Sequence, residues 1–110
     1  MPYDEEVAAR IRESLTTQPD VTEKRMFGGL AFVVGGHLAI AASSNGGALV
    51  RVDPADLDRL VDTTPAVPMV MRGRPMTGWL DVPATELRTA RQVTRWVKIG
   101  LDCARSLPPN

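Results

Sequence analysis

Two side chains in this sequence are suited to nucleophilic chemistry: a single histidine, His37, and a single cysteine, Cys103. An imidazole beside a thiol raises the thiolate fraction, and the thiolate is the attacking species. Such a pair also needs an orienting partner, and the residues around His37 supply none. His37 follows Gly35-Gly36 and is expected at an exposed hairpin tip. Cys103 falls at the border of a helix's apolar stripe, the setting of an inert thiol. One His and one Cys fall short of the four ligands of a structural zinc site. Asp53, Asp56, Asp58 and Asp62 are dense in carboxylate, yet they lack the glycine turn and terminal glutamate of a calcium loop. Helical geometry spreads them around an axis. No catalytic residue, metal ligand or cofactor is expected, and the chain reads as a non-enzyme.

Three glycine pairs, Gly28-Gly29, Gly35-Gly36 and Gly46-Gly47, raise the question of a phosphate loop. None is followed by lysine and a hydroxyl residue, and none forms G-x-G-x-x-G, so hairpin turns and strand bulges account for them. The first pair stands apart because it follows Lys24, Arg25, Met26 and Phe27. Two cations beside an aromatic and a flexible backbone suit an anion or a partner's acidic segment. The plainer reading is the start of a bulged strand, with Met26 and Phe27 in the core. A second candidate surface is Arg72, Gly73 and Arg74, near Met69, Met71 and Met76. Arginine among flexible thioethers is a composition of interaction surfaces, although Met69 and Met71 also suit one face of a core strand. Trp79 could anchor an interface, although an aromatic buried under the last helix is the plainer reading. The third candidate is a basic stripe of Arg88, Arg91, Arg95 and Lys98, able to meet phosphates if it is more than a solvated helix face.

Composition limits what these residues can belong to. At 110 residues the chain has room for one domain, spanning 1–110, around one core. Thirteen basic and thirteen acidic side chains cancel, which gives no support to a dedicated nucleic-acid binder. The balance is uneven, however: residues 1–71 carry six basic and ten acidic groups, and residues 72–110 carry seven and three. A single cysteine can make no internal disulfide and fits a reducing compartment. The N-terminus MPYDEEVAAR is acidic, unlike a signal peptide, and no apolar run approaches the ~20 residues that span a bilayer. A cytoplasmic protein without membrane contact is expected.

Periodicity supplies the elements. Asp4 to Gln18 reads as a capped amphipathic helix with Val7, Ala8, Ile11 and Leu15 on one stripe, stopped by Pro19. Leu30 to Val34, Leu38 to Ala42 and Leu49 to Val52 alternate as strands, joined by Gly35-Gly36 and by a turn containing Asn45-Gly46. Leu30, Phe32 and Val34 share one face; Leu38, Ile40 and Ala42 share one face of the next strand, leaving Ala39 and Ala41 opposite. One face is thus bulky and the other small, as when one side meets a core and the other admits close neighbours. Asp53-Pro54 opens a short helix to about Asp62. Val67 to Met71 and Gly78 to Val82 follow as strands, with 72–77 between them; Pro68 and Pro75 weaken them as central strands. Thr89 and Gln92 have capping-box spacing for a helix from about Ala90 to Ser106. Its buried face is Val93, Trp96, Val97, Gly100, Leu101 and Ala104, and Gly100 predicts a close packing contact there. The order α-β-β-β-α-β-β-α implies an α+β domain, a mainly antiparallel sheet covered by helices.

K-R-M-F-G-G (24–29), an apolar strand, a G-G-H turn and a second apolar strand resemble the N-terminal domain of the TfoX/Sxy competence-regulator family. Gly73-Arg74-Pro75-Met76 and Trp79-Leu80-Asp81-Val82-Pro83 fit that pattern in order. The resemblance implies an α+β fold similar to secretion-chaperone domains and a role in transcription regulation through a partner activator. It marks Arg25, Met26, Phe27, Gly28, Gly29, Gly73, Pro75 and Met76 as signature positions. The longer regulators add a C-terminal domain that this sequence does not contain, so functions requiring that domain, DNA contact among them, are not implied. The expected role is a non-enzymatic regulatory or protein-interaction module with a protein partner such as a transcription factor, or a homodimer through a sheet edge or the last helix. Accessory nucleic-acid binding by the 88–98 stripe is the alternative.

Overall fold

The computed structural model describes residues 3–26 and 28–108. Among them are helix α1 (Glu5–Ser14), strands β1 (Val21–Met26), β2 (Gly29–Val34), β3 (His37–Ala42) and β4 (Ala48–Arg51), helix α2 (Leu57–Thr63), strands β5 (Val67–Met71) and β6 (Arg74–Val82), and helix α3 (Ala90–Ser106). The strands form one antiparallel sheet in the order β1-β2-β3-β4-β6-β5. An α+β domain with an antiparallel sheet and covering helices is what the sequence implies.

Local chemistry sets the helix ends. Asp4 accepts hydrogen bonds from the backbone N–H groups of Glu6 (2.8 Å) and Val7 (3.3 Å), satisfying two donors that have no partner inside α1. Asp53 does the same for Ala55 (2.9 Å), opening a short 3-10 turn that leads into α2. At α3 the capping box is complete: Gln92 N–H donates to Thr89 Oγ1 and Thr89 N–H to Gln92 Oε1, each at 3.1 Å. The buried face of α3 is Val93, Trp96, Val97, Gly100, Leu101 and Ala104, as its periodicity predicts. Gly100 lets the helix settle onto β3, because a Cβ there would overlap the carbonyl oxygen of Ala39. Val7 and Ile11 of α1, Leu15 at its C-terminal cap, Leu60 of α2, and Phe32, Ile40, Val50 and Leu80 from the strands complete the core.

Four differences from the sequence reading matter for the site. First, 21–26 is a strand, although VTEKRM lacks apolar alternation; it is an edge strand, buried by one neighbour only, and its exposed residues follow. This edge also shortens α1, which ends at Ser14 rather than Gln18 so that the chain can turn back into β1. Second, β6 begins at Arg74, so the connection expected over 72–77 is only Arg72 and Gly73. Both have positive φ (53° and 77°), the geometry of a two-residue hairpin turn. Pro68 and Pro75 are tolerated because β5 is the other edge and β4 pairs only with residues 79–82 of β6.

Third, Leu38 does not share a face with Ile40 and Ala42. The β2–β3 register shifts between Phe32 and Val33, pairing Phe32 with Ile40 but Val33 with Leu38. The extra residue, Ala39, reverses the alternation, and Leu38 turns away from the helices. Fourth, Trp79 is not under the last helix. It is half-buried on the face opposite the helices, and the aromatic sealed beneath α3 is Trp96, 1% exposed.

Candidate functional site

Cross-strand pairs in an antiparallel sheet share a face, so the open side can be followed strand by strand. Lys24 pairs with Ala31, Ala31 with Ala41, Ala41 with Leu49, and Leu49 with Asp81. Small residues at the centre of this row and longer ones toward its edges make a concave surface. A groove of about 400 Å³ lies over it, walled by Met26, Leu38, Leu49, Met69, Met76 and Trp79. Met26 belongs to one edge strand and Met69 to the other, so the sheet curves enough for its two sides to border one groove. The register shifts at Phe32/Val33 and at Pro68/Val70 contribute to that curvature. The size is that of a ligand or peptide pocket, and thioether walls can repack around different apolar shapes.

Trp79 is held by a cation. Arg51, its direct partner across β4 and β6, places its guanidinium carbon 4.2 Å from the centre of the indole ring. Arg51 Nε–H also donates to the carbonyl of Leu38 at 2.7 Å, joining β3, β4 and β6 on this face. Partial burial lowers its pKa from the ordinary arginine value, opposed by the nearby Cys103 thiol. At one end of the groove Asn45 donates to both carboxylate oxygens of Asp81 (3.3 and 3.2 Å), and its own amide oxygen accepts from Gly47 N–H (2.9 Å). The turn predicted from Asn45-Gly46 thus also occupies the acid at the groove's end.

The sequence candidates separate in space. Lys24 and Met26 face the groove side, whereas Arg25 pairs with Leu30 and faces the helix side. Lys24 and Arg25 therefore do not converge on the glycine pair. Gly28 has a positive φ of 74° in the β1–β2 connection, and a Cβ at Gly29 would overlap the carbonyl oxygen of Ala42. Met26 borders the groove and is not in the core; Phe27 lies outside the described residues. Arg72 and Gly73 form the β5–β6 turn, and Arg74 stands two residues before Met76, on the groove side. The groove thus brings together Met26 and Gly29 from one candidate cluster with the methionines beside the other. Sequence reasoning missed Leu38, Leu49 and Arg51 as parts of this face; the available signal was the contrast between bulky and small alternating positions.

Two arginines brace the edge that carries Lys24 and Met26. Arg12 from α1 makes two hydrogen bonds to the Glu23 carboxylate (2.7 and 2.8 Å), which hold that carboxyl below its usual range. Arg105 from α3 reaches Asp20 (2.9 Å) and Gln18 (2.7 Å) just before β1.

The remaining candidates are dispersed. His37 Nε2 lies 2.6 Å from the carbonyl oxygen of Pro108, so the neutral or charged ring donates there. Cys103 borders a different cleft, with Asp53, Asp56 and Asp102, to which His37 does not contribute. Burial raises the thiol pKa; Arg51 lowers it, and Asp53 and Asp56 raise it further. This is the reverse of what activates a nucleophile. No group of three or more His, Cys, Asp or Glu among the described residues is placed to hold a metal. Arg88, Arg91, Arg95 and Lys98 are all exposed, but Lys98 is paired with Asp102 at 3.0 Å, and Arg95 lies over the Trp96 ring at 5.7 Å.

A family model, the TfoX N-terminal domain, matches residues 13–104. The chain belongs to the TfoX N-terminal domain family. That match runs from the last two residues of α1 into the last turn of α3 and takes in every strand, the groove and both its edges. At the family level this is a competence-related domain. Met26, Gly29 and Met76, marked by the resemblance read from the sequence, all border one groove. No curated protein and no solved structure matches the chain. Among the described residues, no helix is long and apolar enough to cross a membrane.

Proposed function

We propose that this TfoX N-terminal domain is a non-enzymatic regulatory module that acts by binding another protein on the open face of its sheet. The observation that carries this reading is the apolar groove between Met26, Met69, Met76 and Trp79. A single-domain protein leaves such a surface exposed at a solvation cost unless something covers it part of the time. The chemistry elsewhere favours binding over catalysis: the imidazole of His37 is engaged by Pro108, and burial raises the pKa of the Cys103 thiol in a separate cleft. Family membership favours a partner within the transcription machinery of the cytoplasm.

The test is capture of partners from the source cell on a tagged chain, with and without nuclease, followed by mass spectrometry. A protein partner that survives nuclease and is lost on Trp79→Ala supports the proposal. Partners that vanish with nuclease, and with neutralisation of Arg88, Arg91 and Arg95, would transfer the function to a nucleic-acid face on α3. A partner indifferent to Trp79→Ala would remove the groove from consideration.

A further inference from the structure

The groove has a charge pattern that its apolar walls do not require. On β1, Lys24 stands two residues before Met26; on β6, Arg74 stands two residues before Met76. Alternation puts each cation on the same face as its methionine, and both methionines border the groove. Lys24 and Arg74 are both exposed, and neither is in a salt bridge among the described residues. The groove's one lining acid, Asp81, lies at the strand-end side, where it accepts from Asn45. The row that starts at Lys24 ends at Asp81, and Arg74 lies seven residues further along β6, so the two cations stand at diagonal corners of the groove side, each beyond its own methionine.

From this pattern, and resting on the groove reading above, we infer that the partner binds through a short segment with an apolar centre and carboxylates at both ends. Each end meets one rim cation, Lys24 or Arg74. Three strands lie between β1 and β6, a lateral spacing of about 19 Å, and Arg74 is further displaced along β6 from the row of Lys24. A bridging segment therefore takes more than about six extended residues or about twelve helical ones. A second copy of this chain fits poorly. Two copies meeting groove to groove about a two-fold axis would oppose like-charged rims. The acid-rich α2, with Asp58 and Asp62 and with Asp56 just before it, packs Leu60 fully and Leu57 and Val61 partly against the domain's own core, which leaves it no free apolar face to offer.

The experiment uses the full chain and two synthetic, terminally blocked peptides with the same leucine–methionine centre, one flanked by aspartates and one by lysines. Binding is read by fluorescence anisotropy of a dye on the peptide, a signal that survives removal of Trp79, and quenching of Trp79, with Trp79→Phe as control, reports whether the peptide sits in the groove. The aspartate-flanked peptide should bind at least tenfold more tightly than the lysine-flanked one. Its affinity should weaken as salt rises from about 0.01 to about 0.15 M, over which the screening length falls from about 30 to about 8 Å. Lys24→Glu and Arg74→Glu should each weaken the aspartate peptide about tenfold, and the double reversal should exchange the peptide preference. Both residues are exposed, and a preference exchange cannot arise from unfolding. Equal binding of the two peptides, with both lost on Trp79→Ala, would overturn the charge assignment and leave the groove reading intact. Aspartate-peptide binding unaffected by Trp79→Ala would overturn both. A groove-dependent dimer that excludes the peptides, seen by sedimentation, would assign the face to a second copy and overturn the inference.

Discussion

The two faces of this sheet are built from the same strands by alternate residues, and they differ in what finishes them. On the helix side, Phe32, Ile40, Val50 and Leu80 are buried in one core with residues of α1, α2 and α3. On the open side, Ala41 lies on the floor of a groove walled by methionines and one tryptophan, and its cross-strand partner Ala31 is covered by its neighbours. Each face has its own tryptophan. Trp96 is sealed beneath α3, and Trp79 is half-covered and stacked on Arg51. Burial of one face holds the domain together, while the other has been left available at some cost in exposed apolar area.

Substitutions matched across the faces test that division. Trp96→Ala should cost about 3–5 kcal/mol in urea unfolding, a large part of the stability of a domain this size. Gly100→Ala should follow at about 1–3 kcal/mol, because its methyl has only the Ala39 backbone to displace; a neutral result would show that α3 can lift from β3. Trp79→Ala should cost about 1 kcal/mol or less while abolishing partner capture. If it destabilised as much as Trp96→Ala, the open face would be part of the core.

The smallest expected change is at the brace under β1. Glu23 is held below the usual carboxylate range by the Arg12 hydrogen bonds, so its contribution is complete above about pH 4.3 and vanishes as pH falls through the depressed value. Both groups are well exposed, so Glu23→Gln should cost only about 0.2–1 kcal/mol at pH 7. Its effect should disappear in strong acid; a pH-independent loss would assign Glu23 a packing role. Thiol chemistry gives a comparison without mutation. Cys103, with its pKa raised by burial, should react with a small alkylating reagent far more slowly in the folded than in the urea-unfolded chain. Equal rates would place the thiol at an accessible surface.

Legibility followed the strength of the local signal. The buried face of α3, its capping box and the tight contact at Gly100 could all be read from one segment, because 3.6-residue periodicity and cap chemistry are local. β1 could not: VTEKRM is polar, and only pairing with β2 makes it a strand. The inward position of Leu38 failed because one bulge residue, Ala39, reverses the alternation, and an alanine in an apolar run gives no warning of a bulge. Trp79 failed for a related reason, since apolar character says that a side chain is covered but not by which face. The candidate site was visible as separate fragments, Met26 with Lys24 and Met76 with Arg74.

By itself, the sequence determined the helices, the turns, the bulky and small alternation of the central strands, and family membership, since each depends on residues near one another in the chain. The tertiary structure alone decided that β1 and β5 are edges, that the sheet curves, and that Met26 and Met76 border one groove between two cations. Those facts depend on strand order and register shifts, which arise from contacts between distant segments and leave no trace in any one of them.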